Sequence, residues 1–183
     1  MPITEIPPAT ALVVIDMQSG TLPNARAVTA DRLLDRVALL LAGFRKAERT
    51  VVHLIATGTP DGRTTYADTG QSWSAEQTVI PPEAAPAGNE PLLRRRGWSG
   101  FAGTDLEQRL RAAGVTTVVV AGLATTFGVE STARDAYDLG FDVVVAADAV
   151  SDPDPAGQER SLTRVFPVLG RVATADEILA LIT

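Results

Sequence analysis

Short apolar runs alternate with longer amphipathic stretches along most of this chain. Ala11–Ile15 (ALVVI) is uninterrupted hydrocarbon that ends in Asp16, the pattern of a strand covered on both faces. From Arg26 to Glu48 the apolar residues Leu33, Leu34, Val37, Leu40, Leu41 and Phe44 recur at helical spacing. Val51–Ala56 (VVHLIA) reads as a second strand, so a βαβ unit is legible in this first stretch. Further along, a capping box from Thr104 to Glu107 predicts a helix that runs to about Ala113 and ends at Gly114. Thr117–Ala121 reads as a strand, Thr126–Leu139 as a helix and Val143–Ala147 as another strand. Gln158–Phe166 has helical character, and Thr174 with Glu177 forms a second capping box for a terminal helix.

Between the second strand and the Thr104 helix, Gly58–Gly88 is rich in Pro, Gly, Thr and Asp and lacks periodicity. A long excursion of this kind in a compact domain is usually functional or mobile. No internal repeat or linker divides the chain, which is read as one domain over residues 1–183. Strands alternating with helices predict the α/β class: helices on both sides of a mostly parallel, doubly wound, Rossmann-like sheet. Ligands of such sheets sit beyond the carboxyl ends of the strands, where the strand order reverses. Asp16 and the Thr125–Gly128 turn both lie at strand carboxyl ends, so topology alone directs them to one crevice.

Composition narrows the chemistry. A chain of 183 residues buries roughly 70% of its unfolded surface. No apolar run approaches the ~20 residues that span a bilayer. The first residues carry no basic region or cleavage site of an export signal, and a cytoplasmic location is expected. A net charge of −6 disfavours nucleic acid as a partner, and Arg94-Arg95-Arg96 is too short a basic run to change this. There is no cysteine, hence no disulfide, thiolate ligand or thiol nucleophile. His53 is the only histidine and Lys46 the only lysine, which excludes a multi-imidazole zinc site. No G-x-S-x-G elbow accompanies His53. Buried in an apolar run, that histidine reads as a core or rim residue.

Three segments carry candidate chemistry. ALVVIDMQSG places a carboxylate, Asp16, directly after a buried strand, where it reads equally as a catalytic group or as a cap; Gln18 reads as a pocket or a loop residue. The second segment, Arg95 to Leu106 (RRGWSGFAGTDL), contains Trp98, Phe101 and Gly103-Thr104-Asp105-Leu106. The third, Gly122 to Phe141, reads GLATTFGVESTARDAYDLGF and opens a helix after an apolar run. There the backbone N–H groups of Thr126 to Gly128 would be free to bind an anion.

Together these segments resemble the motifs of isochorismatase-like hydrolases, the cysteine hydrolase superfamily, and the resemblance extends to Ser161–Pro167. It implies the isochorismatase-like fold, with Asp16 as catalytic acid/base and Arg95 where most members carry a lysine. Gly128 stands where most carry the nucleophilic cysteine. It further implies a cis peptide at Leu123–Ala124 and an oxyanion-binding turn, with Ala124, Thr125, Phe127, Gln18 and Trp98 at the substrate. Arg95 keeps its charge and can bind an anion, but cannot shuttle a proton; Arg94 and Arg96 are equally placed on sequence alone. Glycine also stands at the thiol position in the true isochorismatase members, which cleave a vinyl ether with the aspartate as acid and no covalent intermediate; the tail and central motif here resemble another, uncharacterised glycine-type branch. Thr125, Thr126 and Ser131 are conceivable replacement nucleophiles, with no activating base other than Asp16.

The expected activity is hydrolysis of a small, anionic metabolite without metal or cofactor. Amide or C–N hydrolysis by activated water, and a binding protein without turnover, stay open. Association into dimers or larger assemblies of the same chain is expected. A free aspartate is only about 0.1% protonated at pH 7, and a neighbouring arginine lowers its pKa further. Asp16 is therefore expected to be ionised in the empty site.

Overall fold

The computed structural model describes residues 3–182. Its strands are β1 (Thr10–Ile15), β2 (Thr50–Ala56), β3 (Leu92–Arg95), β4 (Thr117–Leu123), β5 (Asp142–Ser151) and β6 (Arg171–Ala173). They form one parallel sheet in the order β3-β2-β1-β4-β5-β6. The order reverses between β1 and β4, which is where a doubly wound sheet opens a crevice. Helices α1 (Ala30–Lys46), α2 (Leu106–Ala112), α3 (Glu130–Asp138), α4 (Asp154-capped Pro155–Arg160), α5 (Phe166–Leu169) and α6 (Ala175–Ala180) complete the chain.

Strand alternation builds two cores. Leu12 and Val14 of β1 pack with Leu33, Val37, Leu40, Leu41 and Phe44 of α1 and Ile178 of α6 on one face. Ala11, Val13 and Ile15 point the other way, to Leu106 and Leu110 of α2, Ala133 and Ala136 of α3, and Phe166 of α5. Three layers result because every residue of β1 and β4 is buried and each face must be covered. The α/β/α reading is thus observed, with a sheet that is parallel throughout.

Several local expectations shift. The first helix begins at Ala30, not Arg26, because the Arg26 and Ala27 N–H groups donate to Asp152 O and the Val28 N–H to Ser151 Oγ. The capping box at Thr174–Glu177 forms in both directions. The one at Thr104–Glu107 does not: the Thr104 hydroxyl donates to Gly100 O, and α2 starts at Leu106 after Asp105, which pairs with Arg109 at 2.8 Å. The helix expected from Thr126 opens instead with a π-turn over Thr125–Val129. The one expected over 158–166 starts earlier, at Pro155, where Asp154 accepts from the Ala156 N–H, and passes through a second π-turn at Ser161–Val165. The two edge strands, β3 and β6, escape a reading based on apolar runs, because they are only four and three residues long and carry arginines. Short, charged edges are how sheets avoid pairing with other chains.

Within the 58–88 excursion, residues 57–73 fold back as a strap. Its backbone is tied by Thr59 N–H to Gln71 O and Trp73 N–H to Thr57 O, with bridges at Gly58–Ser72 and Arg63–Asp68. Residues 60–68 are all exposed. No helix among the described residues is long and apolar enough to cross a membrane.

One glycine sets how closely β1 and β4 approach. Gly122 has φ +115°, and a Cβ there would lie 2.0 Å from Ile15 O. Both the conformation and the overlap oppose a side chain. Gly122→Ala is expected to destabilise by about 3 kcal/mol or more, a fall of roughly 10 °C in Tm for a chain of this size. Thermal unfolding followed by circular dichroism checks this; a variant melting within about 2 °C of the parent would contradict it.

Candidate active site

Four strand ends meet at the crevice. Asp16 follows β1 with φ +51°, a left-handed conformation that aspartate tolerates better than most residues. Its N–H still donates to Leu54 O at 2.9 Å, so the turn away from the sheet begins at this residue. In β3, alternation buries Leu93 and Arg95 and exposes Arg94, which decides among the three arginines. Arg95 Nη2 donates to Asp16 Oδ2 at 2.7 Å, and the two side chains are only 2% and 9% exposed. Arg95 Nη1 donates to the Gly97 carbonyl. Asp16 Oδ1 and Arg95 Nε are buried without a hydrogen-bond partner among the described residues.

Burial is the strongest influence on the Asp16 carboxyl and raises it. The Arg95 charge and hydrogen bond oppose this, yet the net result is a pKa pushed up to about 6. Asp16 is still mostly ionised at pH 7, as expected. About a tenth of it carries a proton, however, against about a thousandth for a free aspartate. Desolvation thus outweighs the arginine.

The pair faces a cavity of about 290 Å³. Ala56, Gly58, Thr59 and Trp73 come to it from the end of β2 and the strap, Thr21 and Asn24 from the loop after β1, and Ala124, Phe127 and Gly128 from the turn after β4. Trp98 and Phe127 meet edge to face, ring centroids 5.0 Å apart, and are 59% and 41% exposed at the rim. Phe101 instead stacks on Phe141 and packs against the second core. The Leu123–Ala124 peptide is cis, at the position the family resemblance implies.

The structure therefore brings Asp16, Arg95, Gly128, Trp98, Ala124 and Phe127 to one cavity, and places two other candidates elsewhere. Gln18 is fully buried and its amide is consumed by backbone: Nε2 donates to Ala56 O and Gln77 O, and Oε1 accepts from the Ala56 N–H. It clamps the end of β2 and does not line the cavity. Thr125 is also fully buried, its hydroxyl donating to Gln158 Oε1 at 3.1 Å. None of the hydroxyls of Thr125, Thr126 or Ser131 lines the cavity.

Two features of the turn also differ from expectation. The Thr126 N–H is not free, since it donates to Asp152 Oδ2 at 2.7 Å; the Phe127 N–H donates to Ala124 O. Nor is the space at residue 128 vacant. A Cβ there would lie 2.9 Å from Arg95 Nη2 and 3.1 Å from both Ile15 Cγ2 and Leu123 O. The guanidinium reaches into the space where a side chain would begin.

Asp152 is the residue the sequence reading missed. It is fully buried, accepts from the Thr126 N–H and hydroxyl and from the Asp154 N–H, and so holds the turn that carries Phe127 and Gly128. The available signal was the apolar pair Ala149-Val150 before Ser151-Asp152, an echo of β1 before Asp16. Reading β5 as ending at Ala147 hid it.

His53 lies apart from the site. It is buried, bonds Glu90 Oε2 at 2.9 Å, and burial holds its pKa below the usual value. No group of three or more His, Cys, Asp or Glu among the described residues could hold a metal ion. A roomier depression of about 500 Å³ lies between α1 and α6, but Leu39, Ala42, Gly43 and Leu179 line it with a single charged side chain, Lys46. It lacks the convergent polar groups of a reactive site.

Comparison with known proteins places the chain in a family. The isochorismatase domain model matches residues 10–177. The uncharacterised isochorismatase family protein YecD of Escherichia coli O157:H7 is 38% identical over 178 residues, covering 93% of this chain and 94% of that protein. Streptothricin hydrolase of Streptomyces noursei is 38% identical over 165 residues, 89% of this chain and 57% of that one. Among solved structures, an isochorismatase family protein from Burkholderia thailandensis superposes with TM-score 0.91 at 32% identity, covering 97% of each chain. N-carbamoylsarcosine amidase from Thermoplasma acidophilum superposes at 0.74 with 29% identity, covering 91% and 96%. The domain match over nearly the whole length, with a relative 38% identical across it, shows that this chain belongs to the isochorismatase family.

Proposed function

We propose that the protein hydrolyses a small metabolite with Asp16 as general acid/base and water as the nucleophile, through no covalent enzyme intermediate. One observation carries this reading: a buried carboxylate with a raised pKa faces a cavity beside a residue, Gly128, that has no side chain to attack with. A carboxyl titrating near neutrality exchanges protons with water and substrate within its own working range. Neither a metal nor an organic cofactor is needed for the step.

Three groups of relatives support a C–N bond as the target, although a secreted isochorismatase effector of Verticillium dahliae also matches, at 28% identity. One is a streptothricin hydrolase, another an N-carbamoylsarcosine amidase; ureidoacrylate amidohydrolases of Methylorubrum extorquens also match. For an amide or ureido carbonyl, ionised Asp16 takes a proton from water as the oxygen adds to the carbonyl carbon. Asp16 then returns that proton to the departing nitrogen as the C–N bond breaks, leaving an acid and an amine. Cleavage of an enol ether would use Asp16 first as an acid. The Arg95 guanidinium lies on the Asp16 side of the cavity and supplies positive charge to oxygen that becomes negative.

The two readings have opposite pH signatures. Ionised Asp16 acting as base predicts that kcat/KM rises with pH through an apparent pKa near 6 and then levels. An acid role predicts decline above the same value. A screen of small amides, ureido compounds and enol ethers, run with Asp16→Asn alongside, is expected to show turnover that this substitution lowers by about 10²–10⁴-fold. Ligands that bind wild type and variant equally, with no turnover by either, would identify a binding protein.

A second expectation concerns position 128. Because a Cβ there overlaps the Arg95 guanidinium, Gly128→Ala should destabilise by about 1–3 kcal/mol. Combined with Arg95→Lys, whose slimmer end vacates that space, the same substitution should cost at least ~1 kcal/mol less. Denaturant unfolding of the four proteins measures the coupling. Additive effects would mean that Ile15 and Leu123, not Arg95, exclude the side chain.

A further inference from the structure

The buried charges at the cavity cancel, because Asp16 and Arg95 form an ion pair, and the third charged lining residue, Arg96, is exposed to solvent. Of the lining residues only Asp16, Arg95 and Arg96 are ionisable. Arg96 is committed to the strap: Nε donates to Thr59 O at 2.9 Å, and Nη2 to Gly70 O at 2.7 Å and Gln71 O at 3.3 Å. Arg95 is committed to Asp16 and to the Gly97 carbonyl. The groups contributed by the loop after β1, by the strap and by the turn after β4 are uncharged. Behind that turn, Asp152 is engaged with Thr126. The strap's remaining charges, Asp61, Arg63 and Asp68, are exposed, and Arg63 faces Asp68 at 3.9 Å.

A ligand carboxylate brought into this setting would share one buried guanidinium with Asp16. Two carboxylates in a shared buried site do not both stay ionised. We propose that an anion enters this cavity only together with a proton: the ligand takes over the positive charge of Arg95 while Asp16 becomes an uncharged carboxylic acid. One proton is taken up from solvent for each anion bound, the Asp16–Arg95 ion pair gives way to an anion–Arg95 pair, and no covalent bond changes. Neutral compounds enter with no change in protonation. The sequence-based expectation of an anionic substrate is thereby refined: at neutral pH the resting site favours uncharged ligands.

This rests on Asp16 being the reacting group, and it assigns a direction to the cycle. Hydrolysis of a neutral C–N substrate leaves a carboxylic acid beside ionised Asp16, and transfer of the acid's proton to Asp16 gives a carboxylate paired with Arg95. That product is held while Asp16 keeps a proton and is repelled once Asp16 releases it, so deprotonation drives product out and restores the resting pair.

Benzoate and its neutral counterpart benzamide suit a small cavity walled partly by Trp73, Trp98 and Phe127, and binding needs no turnover. Isothermal titration of the whole protein from pH 5 to 8.5, in two buffers of different ionisation enthalpy, reads both affinity and proton uptake. The wild type is expected to bind benzoate with uptake of about one proton above pH ~6, affinity falling about tenfold per pH unit there. Asp16→Asn, permanently uncharged, should bind benzoate independently of pH and at least about tenfold more tightly than wild type at pH 8. Benzamide should show neither effect. Benzoate affinity that is constant with pH in the wild type, no proton uptake, or no benzoate binding at pH 5 would overturn the proposal, and these readouts stand even if the variant fails to fold. They are also separate from catalysis: loss of the linkage leaves hydrolysis of neutral substrates intact, whereas loss of turnover leaves the linkage measurable.

Discussion

The Asp16–Arg95 ion pair constrains the rest of this structure. Its partners come from β1 and β3, which are not neighbours, because β2 lies between them. The pair can close at 2.7 Å only if both side chains lean over the carboxyl end of β2. That end is accordingly held: the Gln18 amide is spent on both backbone groups of Ala56, and the Thr57 N–H bonds Arg95 O. Burying two charges is expensive even when they are paired. Here the hydrogen bonding is incomplete, with one carboxyl oxygen and one guanidinium nitrogen left without partners. Such a pair is a poor source of stability, and its placement at the switch point is better understood through reactivity.

Arg95 and Gly128, the two positions that the family resemblance marks as departures, are sterically linked. The arginine end sits 2.9 Å from where a Cβ of residue 128 would be, so a bulkier residue at 128 and a guanidinium at 95 compete for the same volume. Glycine at 128 admits the arginine, and the arginine in turn holds its carboxylate from the side on which a nucleophile would project. In the mechanism proposed above, the chemistry falls to the carboxyl group itself and to water.

How much of this is legible in the sequence depends on how each element is stabilised. β1, β2 and β4 are buried on both faces, so they appear as apolar runs and are read within a residue or two. Asp16 and the 124–128 turn follow such runs and are located by topology alone. β3 and β6 owe their existence to pairing with a neighbour rather than to composition, and are invisible to hydrophobicity. Arg95 is consequently found only through the motif around Trp98, and its burial only through the alternation of a strand that was not read. Gln18 and Thr125 lie in the right segments, but their side chains turn to backbone and to Gln158, a choice made by tertiary hydrogen bonding that residue type does not encode. The π-turn at 125–129 is likewise held by a tertiary contact, the Asp152 carboxylate engaging Thr126 from twenty-six residues away in sequence.

A second arginine–carboxylate pair in the same molecule shows what distinguishes a reactive site from a structural one. Glu90 accepts both Nε and Nη2 of Arg45 at 2.7 Å, the Ala87 N–H at 2.9 Å, and contacts His53. Burial acts to raise its pKa, but these partners prevail and hold it at about 2. Asp16 has one charged partner, one unpartnered oxygen and deeper burial, and its pKa moves the opposite way. Both carboxylates face arginine at the same distance, so proximity of opposite charge does not separate them. Depth of burial and saturation of hydrogen bonding do: a less buried carboxylate whose oxygens are all engaged is held in its charged form and fastens the loop before β3 to α1. One left partly unsatisfied and deeply buried beside a cavity titrates closer to neutrality, as the proposed acid/base role of Asp16 requires.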